Sequence, residues 1–307
     1  MLDRQKASWR TVADNYSALE KVMTRRIVMP HCNVTAMHNP ARILSTASKP
    51  DSGRTNPDSC FLCAGRRPAE QEALPFAGKY SVLVNPYPVF KRHFTIAAQT
   101  HTGQRIAGRF GDMLLLARLL DGYTIFYNGP GCGASAPHHA HFQAVESGTM
   151  PIEGEWHDAA AAVTENGFGK ILRLPAPLRN AFVIESGSAG YTEEAFAGIY
   201  AAARHGNNNS EPMMNILSLY AGGKWEVFVF LRKAHRPSFY GSDVEGQMLV
   251  SPASVEMGGV LVLPRKEDFD KITERTVTAL YNEVCIDSEE ADSIASRLKS
   301  TAIWTNR

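Results

Sequence analysis

Between residues 128 and 143 the chain reads Asn-Gly-Pro-Gly-Cys-Gly-Ala-Ser-Ala-Pro-His-His-Ala-His-Phe-Gln. Glycine and proline at this density interrupt both helix and strand, so the first part is a loop. Ile125-Phe126-Tyr127 enters it as a β-branched and aromatic run, the composition of a strand. After it, His139, His141 and Gln143 alternate with Ala140 and Phe142, the two-residue period of a strand whose faces differ. The chain is thereby required to build a sheet in which a glycine loop delivers imidazoles to one face. A neutral imidazole, with an unperturbed pKa of roughly 6.5, can attack phosphorus near neutral pH. Glycines let backbone N–H groups come close to anionic oxygens. Histidines alone would also suit a surface or metal-binding tract, but such a tract needs neither the loop nor Phe142. The run points to a site for a phosphate ester.

The rest of the chain supplies the sheet and its cover. Trp9, Val12, Tyr16, Leu19 and Val22 recur at helical spacing and predict an amphipathic helix over residues 5–25. Residues 31–59 are rich in Asn, Pro, Ser and Asp and read as a long loop. Strands are expected at Tyr80–Asn85 and Phe94–Ala98, and a helix from Phe110 to Tyr123. Helices are expected at Ala159–Val163 and Thr192–Arg204. Met214–Tyr220 and Trp225–Leu231, joined through Gly222-Gly223, predict a β-hairpin. A strand at Gly259–Pro264 leads to helices near 267–284 and 288–300. Strict strand–helix–strand alternation is missing, so the expected class is α+β with antiparallel sheets rather than a doubly wound parallel sheet. Two halves are expected, residues 1–155 with the motif and residues 156–307 without it.

Composition narrows the function. With 44% hydrophobic residues there is ample core, and a net charge of +1 provides no field to gather nucleic acid or a membrane surface. No run approaches the ~18 apolar residues of a membrane span. Met1–Lys6 lacks an apolar segment behind it, so no secretory signal is expected. Five cysteines are too few and odd in number for a disulfide framework. Reduced thiols in a cytoplasm are the expectation.

Cys60-Phe61-Leu62-Cys63 has the spacing at which both thiolates bind one Zn²⁺, with histidines needed to complete the set; His101 and His139 are the candidates. A redox pair or two buried cysteines are the alternatives, although Asp58-Ser59 and Arg66-Arg67-Pro68 do not resemble a thioredoxin-like setting. In Asn85-Pro86-Tyr87-Pro88-Val89-Phe90-Lys91-Arg92-His93, two prolines hold an extended chain, Tyr87 and Phe90 could wall a base pocket, and Lys91 and Arg92 could meet phosphates. On composition alone a plain strand connection with a solvated basic pair is the favoured reading. Arg42 and Lys49, in the long early loop, are anion-ligand candidates, as is the Arg232-Lys233-Ala234-His235-Arg236 run at the end of the hairpin.

Taken together these residues resemble the histidine-triad superfamily, and within it the transferases: galactose-1-phosphate uridylyltransferase, diadenosine tetraphosphate phosphorylase and the GDP-hexose phosphorylases. Those enzymes carry Gln at the third place of the triad, here Gln143; the hydrolases carry His. Gly133-Ala134-Ser135-Ala136-Pro137 is similar to their Gly-Ala-Ser-x-Pro, and Asn85-Pro86-Tyr87-Pro88 to their Asn-Pro-x-Pro strand. Met214-Asn215-Ile216-Leu217 with Trp225-Glu226-Val227-Phe228-Val229 resembles their C-terminal hairpin. The likeness spans landmarks from about residue 38 to residue 265.

The resemblance implies antiparallel histidine-triad-like sheets with flanking helices, in two like halves. It implies a nucleotidyltransferase or phosphorylase in which His141 becomes nucleotidylated, Gln143 holds the phosphoryl oxygens, and His139 completes the motif. Asn128 and Ser135 match positions that contact phosphate in those enzymes, and Asn85, Lys91, Gly133, Arg42 and Lys49 are the further candidates for substrate binding. Cys60, Cys63, His101 and His139 look like a structural Zn²⁺ set. The implied substrates are a nucleoside diphosphate sugar or dinucleoside polyphosphate, with phosphate or a sugar 1-phosphate as acceptor. Mg²⁺ is compatible with such chemistry, and a homodimer with a superfamily that pairs halves or subunits. A hydrolase on the same scaffold, or a zinc-stabilised nucleotide-binding protein without catalysis, are the alternatives. His138 places one more residue between Ser135 and the motif than the phosphorylases have.

Overall fold

A computed structural model describes residues 1–43, 60–204, 211–241 and 246–300. The N-terminal segment is two helices, α1 (Leu2–Ser8) and α2 (Arg10–Ala18). The continuous helix expected over 5–25 is broken at Trp9, whose backbone is extended (φ −119°, ψ 102°) and whose ring is buried with Val12, Tyr16 and Val84. After a short 3₁₀ turn the chain forms β1 (Met23–Ile27) and β2 (Val34–His38), the latter inside the stretch expected to be loop. Strands β3 (Ala73–Phe76), β4 (Tyr80–Val84) and β5 (His93–Ala98) form a meander. Then come α3 (Phe110–Leu119), β6 (Tyr123–Asn128) and β7 (His141–Glu146).

The same order recurs. β8 (Ala161–Asn166), β9 (Gly169–Arg173) and β10 (Phe182–Ser186) form a meander, α4 (Ala189–Ala203) follows, and the hairpin β11 (Met214–Ala221) and β12 (Lys224–Leu231) closes the unit. The helix expected at Ala159–Val163 is instead the start of β8, because Asn166-Gly167-Phe168-Gly169 turns the chain into pairing with β9 and that ladder outweighs alanine's helix preference. One ten-stranded sheet results, in the order β3-β4-β5-β7-β6-β11-β12-β10-β9-β8. Read from either edge, three meander strands are followed by the second and then the first strand of the hairpin. β6 and β11 meet antiparallel at the centre, Asn128 opposite Asn215 and Phe126 opposite Leu217.

The central strands are buried on both faces, which is why β11 and β12 read as near-continuous apolar runs. One face packs under α3, α4 and α8 (Ser288–Ser300), where Phe110 and Phe196 stack at 3.8 Å across the junction of the halves. The other face packs under a second sheet, β1-β2-β13, with β13 (Val260–Leu263) parallel to β2. Short helices α5 (Ser254–Met257), α6 (Lys266–Lys271) and α7 (Glu274–Val284) complete that layer. The helix expected at 267–284 is therefore two, separated where Ile272 is extended and Thr273 caps α7 through its side chain. The architecture is α+β with large antiparallel sheets and flanking helices, in two like halves. Among the described residues no helix is long and apolar enough to cross a membrane.

Candidate active site

A cleft of about 810 Å³ opens on the face of the sheet covered by the small second sheet. Its floor is β7 and β6, its walls the Asn85–Val89 and Gly133–Ser135 loops, and its far side Glu256 and Val262 from the second half.

His141 begins β7, and its ring is buried at 3% exposure. Its Nδ1 lies 2.8 Å from the carbonyl oxygen of His139. A carbonyl only accepts, so the proton sits on Nδ1 and the Nε2 lone pair is left bare. Nε2 is buried with no partner among the described residues. Burial is the main cause that pushes the His141 pKa down to about 4, so the ring is neutral at pH 7. Gln104, fully buried, locks this strand start in place: its Oε1 accepts from His141 N (2.7 Å), and its Nε2 donates to the carbonyls of His141 and Asn128 (both 2.9 Å).

Gln143 shares the cleft. Its Oε1 accepts from His93 Nε2 at 2.8 Å and from Asn85 Nδ2 at 3.3 Å. The roles are forced, because His93 Nδ1 accepts from the backbone N–H of Val89 (3.1 Å), leaving the proton on Nε2. Burial pushes His93 down to about 3, so it too is neutral. With its oxygen tied back, Gln143 offers its NH₂ to the cleft. Asn128 is held likewise: Oδ1 accepts from Ser254 N (2.8 Å) and Asn215 Nδ2 (2.9 Å), which leaves its own Nδ2 toward the cleft. A bare imidazole nitrogen and two amide donors lining one cleft suit a nucleophile beside an oxyanion.

Gly133 brings the loop against the second half. Its φ is +91°, and a Cβ there would lie 2.5 Å from the Cβ of Ala253. Only glycine fits both the backbone and the gap. Gly133, Ser135, Asn85, Asn128 and Arg42 all line the cleft, Arg42 while donating to the carbonyl of Tyr87 at 2.7 Å. Lys91 is exposed and lies outside the lining, because Lys91 and Arg92 face solvent just before β5 turns His93 inward. Lys49 lies outside the described residues. Tyr87 lines the cleft, half exposed, whereas Phe90 is buried beside His93. His235 and Arg236, from the basic run after β12, do reach the cleft. Glu256 there is buried, which raises its pKa, while its Oε2 accepts from Ala253 N.

His139 departs from the expected alternation. The strand starts only at His141, so the His139 ring turns away from the cleft and its carbonyl alone serves His141. The ring joins Cys60, Cys63 and His101, whose ligand atoms all lie within 4.8 Å of one another. His139 Nε2 donates to the carbonyl of Ala98 at 2.8 Å, which leaves Nδ1 as a lone pair, 3.3 Å from Cys60 Sγ and 3.6 Å from Cys63 Sγ. His101 Nδ1 lies 3.2 Å from Cys63 Sγ. Two thiols and two imidazoles, one of them oriented by a carbonyl, fit a metal ion bound by four protein ligands.

Sequence reasoning gave no role to His93, Gln104 or Asn215. All three act by holding another side chain, and only the folded chain shows which one. The run Lys91-Arg92-His93 drew attention to its cations, while the residue that matters in the cleft is its histidine.

Comparison with known proteins places this architecture. Crystal structures of yeast Ap4A phosphorylase Apa2 match over 90% of this chain and 94% of theirs, at 17% identity and a TM-score of 0.56. The form in complex with Ap4A gives 16% identity and a TM-score of 0.57, covering 90% of this chain and 96% of that one. A form in complex with AMP matches similarly, at 16% identity and a TM-score of 0.56. The chain shares the histidine-triad-like fold of Apa2. Residues 179–303 match the family model described as GDPGP1-like, C-terminal domain, and residues 1–146 match a domain of unknown function, DUF4922. No curated protein sequence matches the chain. Among the described residues the two halves of the sheet differ at the cleft. Where β7 sets His141 and Gln143 on the cleft face, β12 sets Phe228 and Phe230 into the core on that face.

Proposed function

We propose that the protein is a nucleotidyltransferase of the phosphorylase type that works through a nucleotidyl-histidine on His141. The observation that carries this is the buried, neutral Nε2 of His141 at the floor of the cleft, without a partner among the described residues. The Nε2 lone pair attacks the α-phosphorus of a nucleoside diphosphate sugar or dinucleoside polyphosphate. The bond from that phosphorus to the bridging oxygen breaks, and the sugar phosphate or nucleotide leaves with the electron pair. Positive charge on the imidazole is shared with the His139 carbonyl through Nδ1–H. The amide donors of Gln143 and Asn128 meet the phosphoryl oxygens, and Arg42 and Arg236 offset the charge of the chain. An oxygen of inorganic phosphate or of a sugar 1-phosphate then attacks, the N–P bond breaks, and the electrons return to Nε2.

Cys60, Cys63, His101 and His139 would hold zinc, which supplies a structural tether, since four protein ligands leave no open position. That Apa2 was crystallised with Ap4A and with AMP supports adenosine polyphosphates as first substrates to test. The test is intact mass and product analysis after incubation with dinucleoside polyphosphates, GDP-sugars and UDP-sugars, with and without phosphate. A nucleotide adduct that forms in the wild type and is absent from His141→Ala supports the mechanism. Identical traces for the two proteins would refute it, and turnover indifferent to phosphate would make the enzyme a hydrolase.

A further inference from the structure

The half without the histidine motif reaches the reacting centre through Asn215. It is fully buried on β11, opposite Asn128. Both hydrogens of its amide are used, one on Asn128 Oδ1 and one on the carbonyl of Cys132, each at 2.9 Å. Its own Oδ1 accepts from Arg232 Nη1 at 2.6 Å. Arg232 is buried at 4% exposure, and among the described residues its other hydrogen bonds end on the carbonyls of Val284, Pro252, Ala234 and His235. A carbonyl cannot donate and a guanidinium cannot accept, so the Asn215 amide has one orientation only. Ser254 N, which can only donate, imposes the matching orientation on Asn128.

We infer that Asn215 and Arg232 are positioning residues: by a one-way chain of hydrogen bonds from the second half, they keep the N–H face of the Asn128 amide turned to a phosphate oxygen and its carbonyl turned away. The inference rests on the reading of Asn128 as a phosphate donor. An untethered carboxamide can rotate and present its oxygen, which would repel the same anion. The second half thus contributes orientation to a site whose reactive groups belong to the first.

Asn215→Asp tests this. The variant retains shape and an acceptor for Arg232, but a carboxylate has no hydrogen for Asn128 Oδ1. It repels that oxygen, attracts Nδ2, and turns the Asn128 carbonyl toward the cleft. Inorganic phosphate is titrated by calorimetry into wild type, Asn215→Asp, Asn128→Ala and the double variant. The expected result is binding to wild type, a loss of about tenfold or more in each single variant, and no further loss in the double variant over Asn128→Ala. Phosphate binding equal to wild type in Asn215→Asp overturns the inference. So does an equal loss from Asn215→Asp in the Asn128→Ala background, which would be a bulk charge effect, and so does failure of wild type to bind phosphate. Asn215→Ser, too short to reach Asn128 and uncharged, repeats the test if Asn215→Asp does not fold. Covalent capture that survives in His141→Ala would sink the nucleotidyl-histidine, while the phosphate titration still decides the positioning role.

Discussion

Replacing His93 by Leu separates the two tasks that this buried ring performs. Its Nδ1 satisfies the Val89 N–H at 3.1 Å and its Nε2–H holds Gln143 Oε1 at 2.8 Å. Leucine fills much of the volume and removes both bonds. Two hydrogen bonds at ~1 kcal/mol each, with the Val89 N–H left buried and unpaired, amount to roughly 2–4 kcal/mol of stability. In a chain this size that lowers Tm by about 3–6 °C. The effect on chemistry is separate. Asn85 still reaches Gln143 Oε1, but at 3.3 Å, so the amide is less firmly held and spends time with its oxygen toward the phosphoryl group. Removing an oxyanion donor outright costs about 10²–10³ in rate. Partial loss of orientation should then cost about 10–100-fold, with Gln143→Leu in the full range and the double variant no slower than Gln143→Leu. Stopped-flow mass analysis of nucleotidyl-enzyme formation, beside thermal unfolding, reads both quantities. A His93→Leu protein that is less stable but forms the adduct at the wild-type rate would refute the reasoning.

Three further outcomes are expected. Because the folded-state pKa of His93 is depressed to about 3 while an exposed histidine titrates near ~6.5, the unfolded chain alone gains this proton as pH falls below ~6.5. The contribution is intact above that value and declines by about 1.4 kcal/mol per pH unit toward pH 3, so denaturant titrations from pH 7 to 4 should show a slope shallower by about one proton in His93→Leu. Cys60→Ser or Cys63→Ser should reduce metal content, by elemental analysis, from one ion per chain to near none, and slow adduct formation, since His139 presents its ring to the metal set and its carbonyl to His141; unchanged metal content in both variants would remove the site. Gly133→Ala should destabilise by about 1–3 kcal/mol, because φ is +91° and the new methyl meets Ala253. Equal stability to wild type, by chemical denaturation, would show that the loop has room.

Local pattern carried some of this structure and left the rest illegible. The hairpin β11–β12 was readable because its strands are continuous apolar runs around a Gly-Gly turn, and His141 with Gln143 because strand alternation is a two-residue rule. The cysteine pair and its two histidines were readable as donor types, and the structure brings their ligand atoms together. β1 and β2 form a local hairpin whose strands are short and, in β1, mostly exposed, so no apolar alternation marks it, and β13, the other neighbour of β2, lies more than two hundred residues away in the chain. β8 escaped because alanine favours helix until a neighbouring strand is available. Lys91 was singled out by charge and faces solvent, while His93, two residues on, sits beneath the cleft. The partner of a carboxamide is never written in its own sequence neighbourhood, so the orienting roles of Asn215 and Gln104 emerge only from the fold.

The meeting of β6 with β11 has a consequence for how the chain could be divided. Cutting between the halves would leave each with a long, apolar central strand bare along one side, the condition under which sheets seek another strand. Neither fragment would be a tidy module on its own. Mixed together, they would have each other's edge as the best available mate, and restored covalent capture of nucleotide would report that the seam had closed in its native register.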